Sequence, residues 1–363
     1  MMILRCTVTW LVVITGCASP RPTAAPAADS RWAALDRDVP TLLADNHVPS
    51  VSLARIEHGE VVWAAAYGMQ SAGVPATVDT LYNIASLTKP VSAEVVLRLA
   101  ARGTLRLDEP MSAYWVDPDI AGDDRHHLLT PRLALSHRTG FPNWRRETHG
   151  VLAFVHDPGE VFGYSGEGFE YLARFVEHKT GTAFESLAQQ LVLGPSGMTT
   201  TAYTRRPWFD GRVAVPADAD GKPLSPEMTT NLFASDLIYT TPRDYARFLL
   251  GVIAGDRLTP TLVAERAHVQ TDLMAKTCKP AIAPLCPDAV GIGLAWQVFQ
   301  FADQTLLMHT GADRGLFTFA YVNLASRSAT VIFTSGDRGG ELIVPILERI
   351  GADPGFVALL RKM

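Results

Sequence analysis

The sequence predicts an α+β fold in which one antiparallel sheet is built from N- and C-terminal segments and flanked by helices, with a mainly helical lobe inserted between them. Three observations predict it. β-Branched and apolar runs broken by turn residues crowd two regions, 51–69 and 291–334. The region between, about 108–288, alternates helical periods with loops punctuated by Pro and Gly. At 363 residues and 47% apolar composition, the chain can bury one large core or two interleaved ones. The expected organisation is a leader over 1–17, a tether over 18–30, a sheet-bearing lobe from 31–107 with 289–363, and the helical lobe 108–288.

Residues 1–5 are weakly basic, an apolar stretch ends at Ile14, and Thr15-Gly16-Cys17 supplies small residues at a cleavage position. Ile14-Thr15-Gly16-Cys17 resembles the bacterial lipobox. That resemblance implies a lipidated Cys17 that anchors an exported protein to a bacterial membrane, facing the periplasm. A plain secretory signal that happens to end near a cysteine is the alternative, and both readings export the chain. The apolar stretch is too short to remain as a membrane-spanning helix. Residues 19–30, rich in Pro and Ala, read as a flexible tether.

The first strands are predicted over 51–69 as a hairpin with His58-Gly59 at its turn. From Ser86, apolar Val91, Val95, Val96 and Leu99 recur at helical spacing up to a glycine stop at Gly103, with Pro90 in the first turns where it costs little. Further helices are predicted over 168–179, 242–253 and 340–350. Strands are predicted over 294–301, 305–309, 316–322 and 329–334, with turns at Ala302-Asp303-Gln304 and 324–328.

Composition excludes several function classes. A net charge of −5 without a basic run gives no electrostatic footprint for nucleic acid. Gly-x-Ser-x-Gly, His-Glu-x-x-His and Gly-rich phosphate loops do not occur in the chain. The histidines do not cluster at metal-ligand spacing, so no metal or cofactor is expected, and His126-His127 reads as a solvated loop pair. Cys278 and Cys286 either close a short disulfide loop in an oxidising compartment or remain free thiols; no nearby Cys or His makes them a zinc site.

Ser86-Leu87-Thr88-Lys89 is the sequence's single Ser-x-x-Lys. Residues three apart share a helix face, so the Lys89 amine can reach the Ser86 hydroxyl, which is a poor nucleophile until a base takes its proton. With 17 serines and six lysines, chance supplies such a tetrapeptide in roughly a quarter of chains this size, so context has to decide.

The context is a set of ordered segments. Tyr82 to Pro90 (YNIASLTKP), Gly163-Tyr164-Ser165-Gly166 and His309-Thr310-Gly311, with the loop Leu135 to Pro142 (LSHRTGFP) between the first two, resemble the serine β-lactamases and penicillin-binding proteins. The segments resemble in particular those of class C β-lactamases, D-Ala-D-Ala carboxypeptidases and related esterases. The resemblance runs from about Arg31 to Ile350 and implies a β-lactamase/transpeptidase-like fold and a serine hydrolase acting through an acyl-enzyme. It makes Ser86 the nucleophile, Lys89 its general base or the group that helps keep its partner ionised, and Tyr164 a second base whose phenol needs adjacent positive charge, which Lys89 could supply, to ionise. His309, Thr310 and Gly311, at the end of a predicted strand, would face a substrate carboxylate or carbonyl. The backbone N–H groups of Ser86 and Ala312 would hold an oxyanion.

One position departs from the pattern. Many relatives carry Asn two residues after the tyrosine; here it is Gly166, so a side-chain amide that would touch a substrate amide is missing. The implied substrate is accordingly a small ester, amide or peptide, with an ester favoured over a β-lactam. The alternative is a non-turnover penicillin-binding or sensor lipoprotein of the same fold. Trp144, Arg145 and Arg146 form an aromatic and basic patch that either borders the cleft or decorates the surface.

Overall fold

The two β-rich ends of the chain meet in one sheet. The structure, a computed structural model, describes residues 30–363; the leader, Cys17 and the tether up to Asp29 lie outside the described residues. A hairpin of β1 (Ser50–Glu57) and β2 (Glu60–Ser71) precedes the short β3 (Val74–Pro75). His58 and Gly59 at its turn have φ of 53° and 82°. Two consecutive positive-φ residues give the turn whose twist matches the flanking strands. β4 (Tyr82–Asn83) and β5 (Tyr239–Thr240) pair with each other outside the main sheet. The remaining strands are β6 (Thr271–Asp272), β7 (Ala289–Ile292), β8 (Gln297–Phe301), β9 (Gln304–Asp313), β10 (Leu316–Asn323) and β11 (Ser328–Thr334). The nine-stranded order is β3-β2-β1-β11-β10-β9-β8-β7-β6, so the first long strand lies beside the last, with Val51 opposite Thr334.

Alternation along β11 divides the core. Val331 and Phe333 pack with Val91, Val95 and Leu99 of helix Thr88–Ala101, whereas Ile332 joins Leu35 and Val39 of helix Ser30–Asp45 and Ile346 and Leu347 of helix Ile343–Arg349. Successive strand residues point to opposite faces, so a strand covered on both sides carries apolar residues at consecutive positions, as Val331, Ile332 and Phe333 do here. Helix Thr88–Ala101 is also tied down by an ion pair inside the protein, Arg266 Nη1 to Glu94 Oε1 at 2.7 Å. A buried pair of this kind fixes geometry more than it adds stability.

Several expectations shift. The strand expected over 294–301 begins only at Gln297, because Ala295 takes a positive φ of 62° and Gly293 N donates to Trp296 O, turning the chain first. β9 continues through His309-Thr310-Gly311 to Asp313, so that tripeptide lies within a strand and not at its end. The helix expected over 340–350 is Ile343–Arg349 after a 3₁₀ turn, and Pro354–Leu360 adds another. His126 is buried in a 3₁₀ turn, its Nδ1 bonded to Asp123 O at 2.7 Å, and is not solvated. Cys278 and Cys286 are joined, with Cα atoms 5.8 Å apart.

Candidate active site

Ser86 sits on the 3₁₀ turn Ala85–Leu87, immediately before helix Thr88–Ala101. Ala85 adopts φ of 44°, a conformation that costs a residue with a Cβ and needs support from its surroundings. Ala85 N donates to Asn83 Oδ1 at 2.8 Å, Ile84 N to Ile238 O at 2.9 Å, and Tyr245 Oη to Leu87 O at 3.0 Å. Ala85 and Leu87 are sealed in the core while Ser86 stays partly exposed. The strain therefore presents one hydroxyl at the surface of a rigid turn.

One helical turn on, Lys89 is 0% exposed, with Nζ 2.9 Å from Ser86 Oγ and 3.0 Å from Ser235 O. No ion pair holds it among the described residues. The Tyr164 ring centroid lies 4.8 Å from Nζ and the Phe169 ring 5.8 Å. Behind them, Glu170 accepts from Ser235 N at 2.9 Å and Ser235 Oγ at 2.6 Å, fixing the segment whose carbonyl receives the lysine. Burial pushes the Glu170 carboxyl up, which lowers its competition for that amine.

Tyr164 is sandwiched. The His137 ring stacks on it at 4.3 Å, and Lys89 covers another part of the ring. His137 Nδ1 accepts from Ser165 N at 3.1 Å, which places any imidazole proton on Nε2. Burial and then the Lys89 charge hold its pKa well below the usual histidine range, so the His137 ring is neutral. His309 Nδ1 contacts Thr310 O at 2.7 Å and, to pair with a carbonyl, must carry hydrogen there. Burial, followed by the Lys89 charge, pushes the His309 pKa down to about 3. At neutral pH the ring thus offers a substrate an uncharged Nε2 lone pair and no cation.

Gly311 is required by proximity. A Cβ there would overlap Ile84 O and stand 2.9 Å from Ser86 N, so only glycine lets β9 lie against the Ser86 turn. This contact brings Ala312 and Ser86 to one cleft. The cleft encloses about 820 Å³, within the range of small-molecule sites, and Ser86, Tyr164, His309, Thr310 and Ala312 line it together. Lys89 and Gly311 lie beneath its surface.

Other cleft residues were not legible as site residues. Asp236 and Asp313 both face the cleft, near enough for each carboxyl to feel the other's charge. Burial, then the charges of Asp236 and Glu227, push the Asp313 carboxyl up to about 7. The aromatic and basic patch divides: Trp144 lines the cleft, whereas Arg145 turns away to Glu167 at 2.9 Å and to Asp117 and Asp119 at 3.2 Å. Opposite, Lys276, Thr277 and Ile282 from the Cys278–Cys286 region form a wall. Among the described residues no group of three or more His, Cys, Asp or Glu is placed to hold a metal ion.

Comparison with known proteins fits this arrangement. The beta-lactamase family model matches residues 35–347. Esterase EstB of Burkholderia gladioli is 32% identical over 198 residues, covering 46% of this chain and 49% of that protein, so the match spans about half of EstB. The D-alanyl-D-alanine-carboxypeptidase/endopeptidase AmpH of Escherichia coli is 25% identical over 264 residues, 67% of each chain. Among solved structures, D-alanine carboxypeptidase AmpC from Burkholderia cenocepacia superposes with a TM-score of 0.71 at 20% identity, covering 89% of this chain and 99% of that one. That last likeness is one of fold.

Proposed function

This chain belongs to the beta-lactamase family, and from that premise we propose that it is a serine hydrolase acylated at Ser86 by small ester or amide substrates. The observation that carries the proposal is the Lys89 amine, enclosed and without an ion pair among the described residues, 2.9 Å from Ser86 Oγ. In its neutral form Nζ accepts the hydroxyl proton as Oγ bonds to the substrate carbonyl carbon, while an N–H stays on Ser235 O. The carbonyl electrons move to oxygen, held between the N–H groups of Ser86 and Ala312. Collapse expels the alcohol or amine, which takes the proton through the Tyr164 phenol. Water then attacks the acyl-enzyme, giving its proton to the same groups; the acyl–Oγ bond breaks, Ser86 Oγ takes that proton back, and the acid leaves.

Thr310 and the neutral His309 form the polar edge along which the substrate lies. An uncharged His309 gives no ionic grip on a substrate carboxylate, which favours uncharged esters and amides over carboxylate-bearing lactams. The names of the relatives, an esterase and a carboxypeptidase/endopeptidase, bracket the same range of acyl transfer. Export, with Cys17 carrying lipid, completes the proposal; the Cys278–Cys286 bond supports an oxidising compartment. No helix among the described residues is long and apolar enough to cross a membrane.

Ser86→Ala is the test. It is expected to abolish hydrolysis of p-nitrophenyl esters and labelling by a fluorophosphonate probe, and retained labelling would overturn the assignment. Intact mass during turnover separates the alternative, since a stable adduct without product would identify a non-turnover binder.

A further inference from the structure

A second cavity, of about 700 Å³, adjoins the cleft that holds Ser86, and Asp313 is the one residue lining both. Its walls include the two backbone elements that meet at Gly311. Tyr82 and Asn83 precede the strained turn at Ala85, and Asp313 and Arg314 follow Ala312 at the end of β9. Most of its other polar groups are already committed. Tyr82 Oη donates to Ser50 Oγ at 2.9 Å, Tyr239 Oη to the Glu227 backbone O at 2.7 Å, and Ser335 Oγ pairs with Ser50 Oγ at 2.8 Å.

Asn83, 8% exposed, is committed on one side only. Ala85 N donates to its Oδ1 at 2.8 Å, which identifies that atom as the oxygen and fixes the orientation of the amide. Nδ2 has no acceptor among the described residues. It is also absent from the buried polar atoms left without a partner, so it opens into the cavity that Asn83 lines. Arg146 and Arg314 line the same cavity and form no ion pair among the described residues; Arg146 Cζ lies 5.8 Å from the Trp144 ring. Three donor groups thus face one space without an acceptor. Against the two guanidinium charges stand Glu227 and Asp313, and Asp313, pushed up to about 7, carries only part of a charge at neutral pH. The balance is positive. An anion whose flat shape matches an arginine fork is a carboxylate.

We propose that this cavity is a separate binding site for a small carboxylate, held by Asn83 Nδ2 and the guanidinium groups of Arg146 and Arg314. A ligand so held bridges two parts of the active-site backbone. Asn83 fixes Ala85 N, next to Ser86, and Arg314 stands two residues beyond Ala312. The site is therefore placed to steady the Ser86 turn and the end of β9 from outside the cleft. Binding there does not depend on acylation at Ser86.

The test is the melting temperature of the protein titrated with sodium acetate at pH 7.5, against sodium chloride at equal ionic strength. A ligand that binds the folded state alone raises the melting temperature in proportion to its occupancy. The expected rise over chloride is about 2 °C at about 50 mM acetate. It should vanish in Asn83→Asp, which keeps an oxygen for Ala85 N but removes the donor, and in Arg314→Gln. Arg314 is exposed just beyond β9, so the second variant keeps the test readable if the first does not fold. His309→Gln, which alters only the neighbouring cleft, should keep the rise. The proposal is overturned by no rise above chloride, by an equal rise with inorganic phosphate, or by a rise that survives in Arg314→Gln. A rise lost in His309→Gln would overturn it too, by placing the acetate in the catalytic cleft. No substrate is present, so the outcome is independent of whether Ser86 is acylated.

Discussion

A Cβ on Gly311 would stand 2.9 Å from Ser86 N, so the strand and the strained turn are in contact at the backbone of the residue that lines the cleft. Gly311→Ala must push β9 away from the turn and separate the N–H groups of Ser86 and Ala312. Loss of one oxyanion donor costs about 10²–10³ in rate, so kcat is expected to fall at least about a hundredfold. Steady-state kinetics on an activated ester, with the melting temperature alongside, checks this; activity near wild type would mean that the approach of the two elements does not matter.

Stability should depend on pH through His309. Its ordinary pKa is 6.5 and its folded value about 3, so folding requires the neutral ring. The stability present above about pH 6.5 is then lost progressively as pH falls toward 3. Between pH 7.5 and 5 the loss from this group is on the order of 2 kcal/mol, and His137, shifted in the same direction, adds to it. Urea denaturation at the two pH values should show this slope, and His309→Gln should flatten it. An equal slope in the variant would assign the effect elsewhere.

The Cys278–Cys286 bond closes a short loop that supplies Ile282 to the cleft, with Lys276 and Thr277 immediately before it. Replacing both cysteines by serine should cost about 2–3 kcal/mol on a chain-entropy account. Ser86, Lys89 and Tyr164 lie on other elements, so kcat should hold while KM rises several-fold. Urea denaturation and Michaelis curves measure the two effects; a fall in kcat with KM unchanged would contradict this division.

Local pattern made the strands legible because β-branched alternation and a His58-Gly59 turn are short-range signals. It ended β9 early because Thr310-Gly311 looks like a turn, whereas Gly311 serves a contact with residues far away in sequence. Helix Ser30–Asp45 carries Pro40 in its interior and forms on the face of the sheet, so packing and not propensity makes it. Ser86, Lys89 and Tyr164 were found through segments. Asp236 and Asp313 were not, since each is an isolated carboxyl in the sequence whose meaning comes from the other.

The pairing of β1 with β11 places Ser50 N on Ser335 Oγ at 3.1 Å, residues 285 apart in sequence. A ribosome must therefore release almost the entire chain before the centre of the sheet can close, and the Ser86 turn, wedged against β9 and β10, waits with it. Such distant closure is slow. The same delay keeps the emerging polypeptide loose, the condition in which a chain can be threaded through a narrow secretion channel.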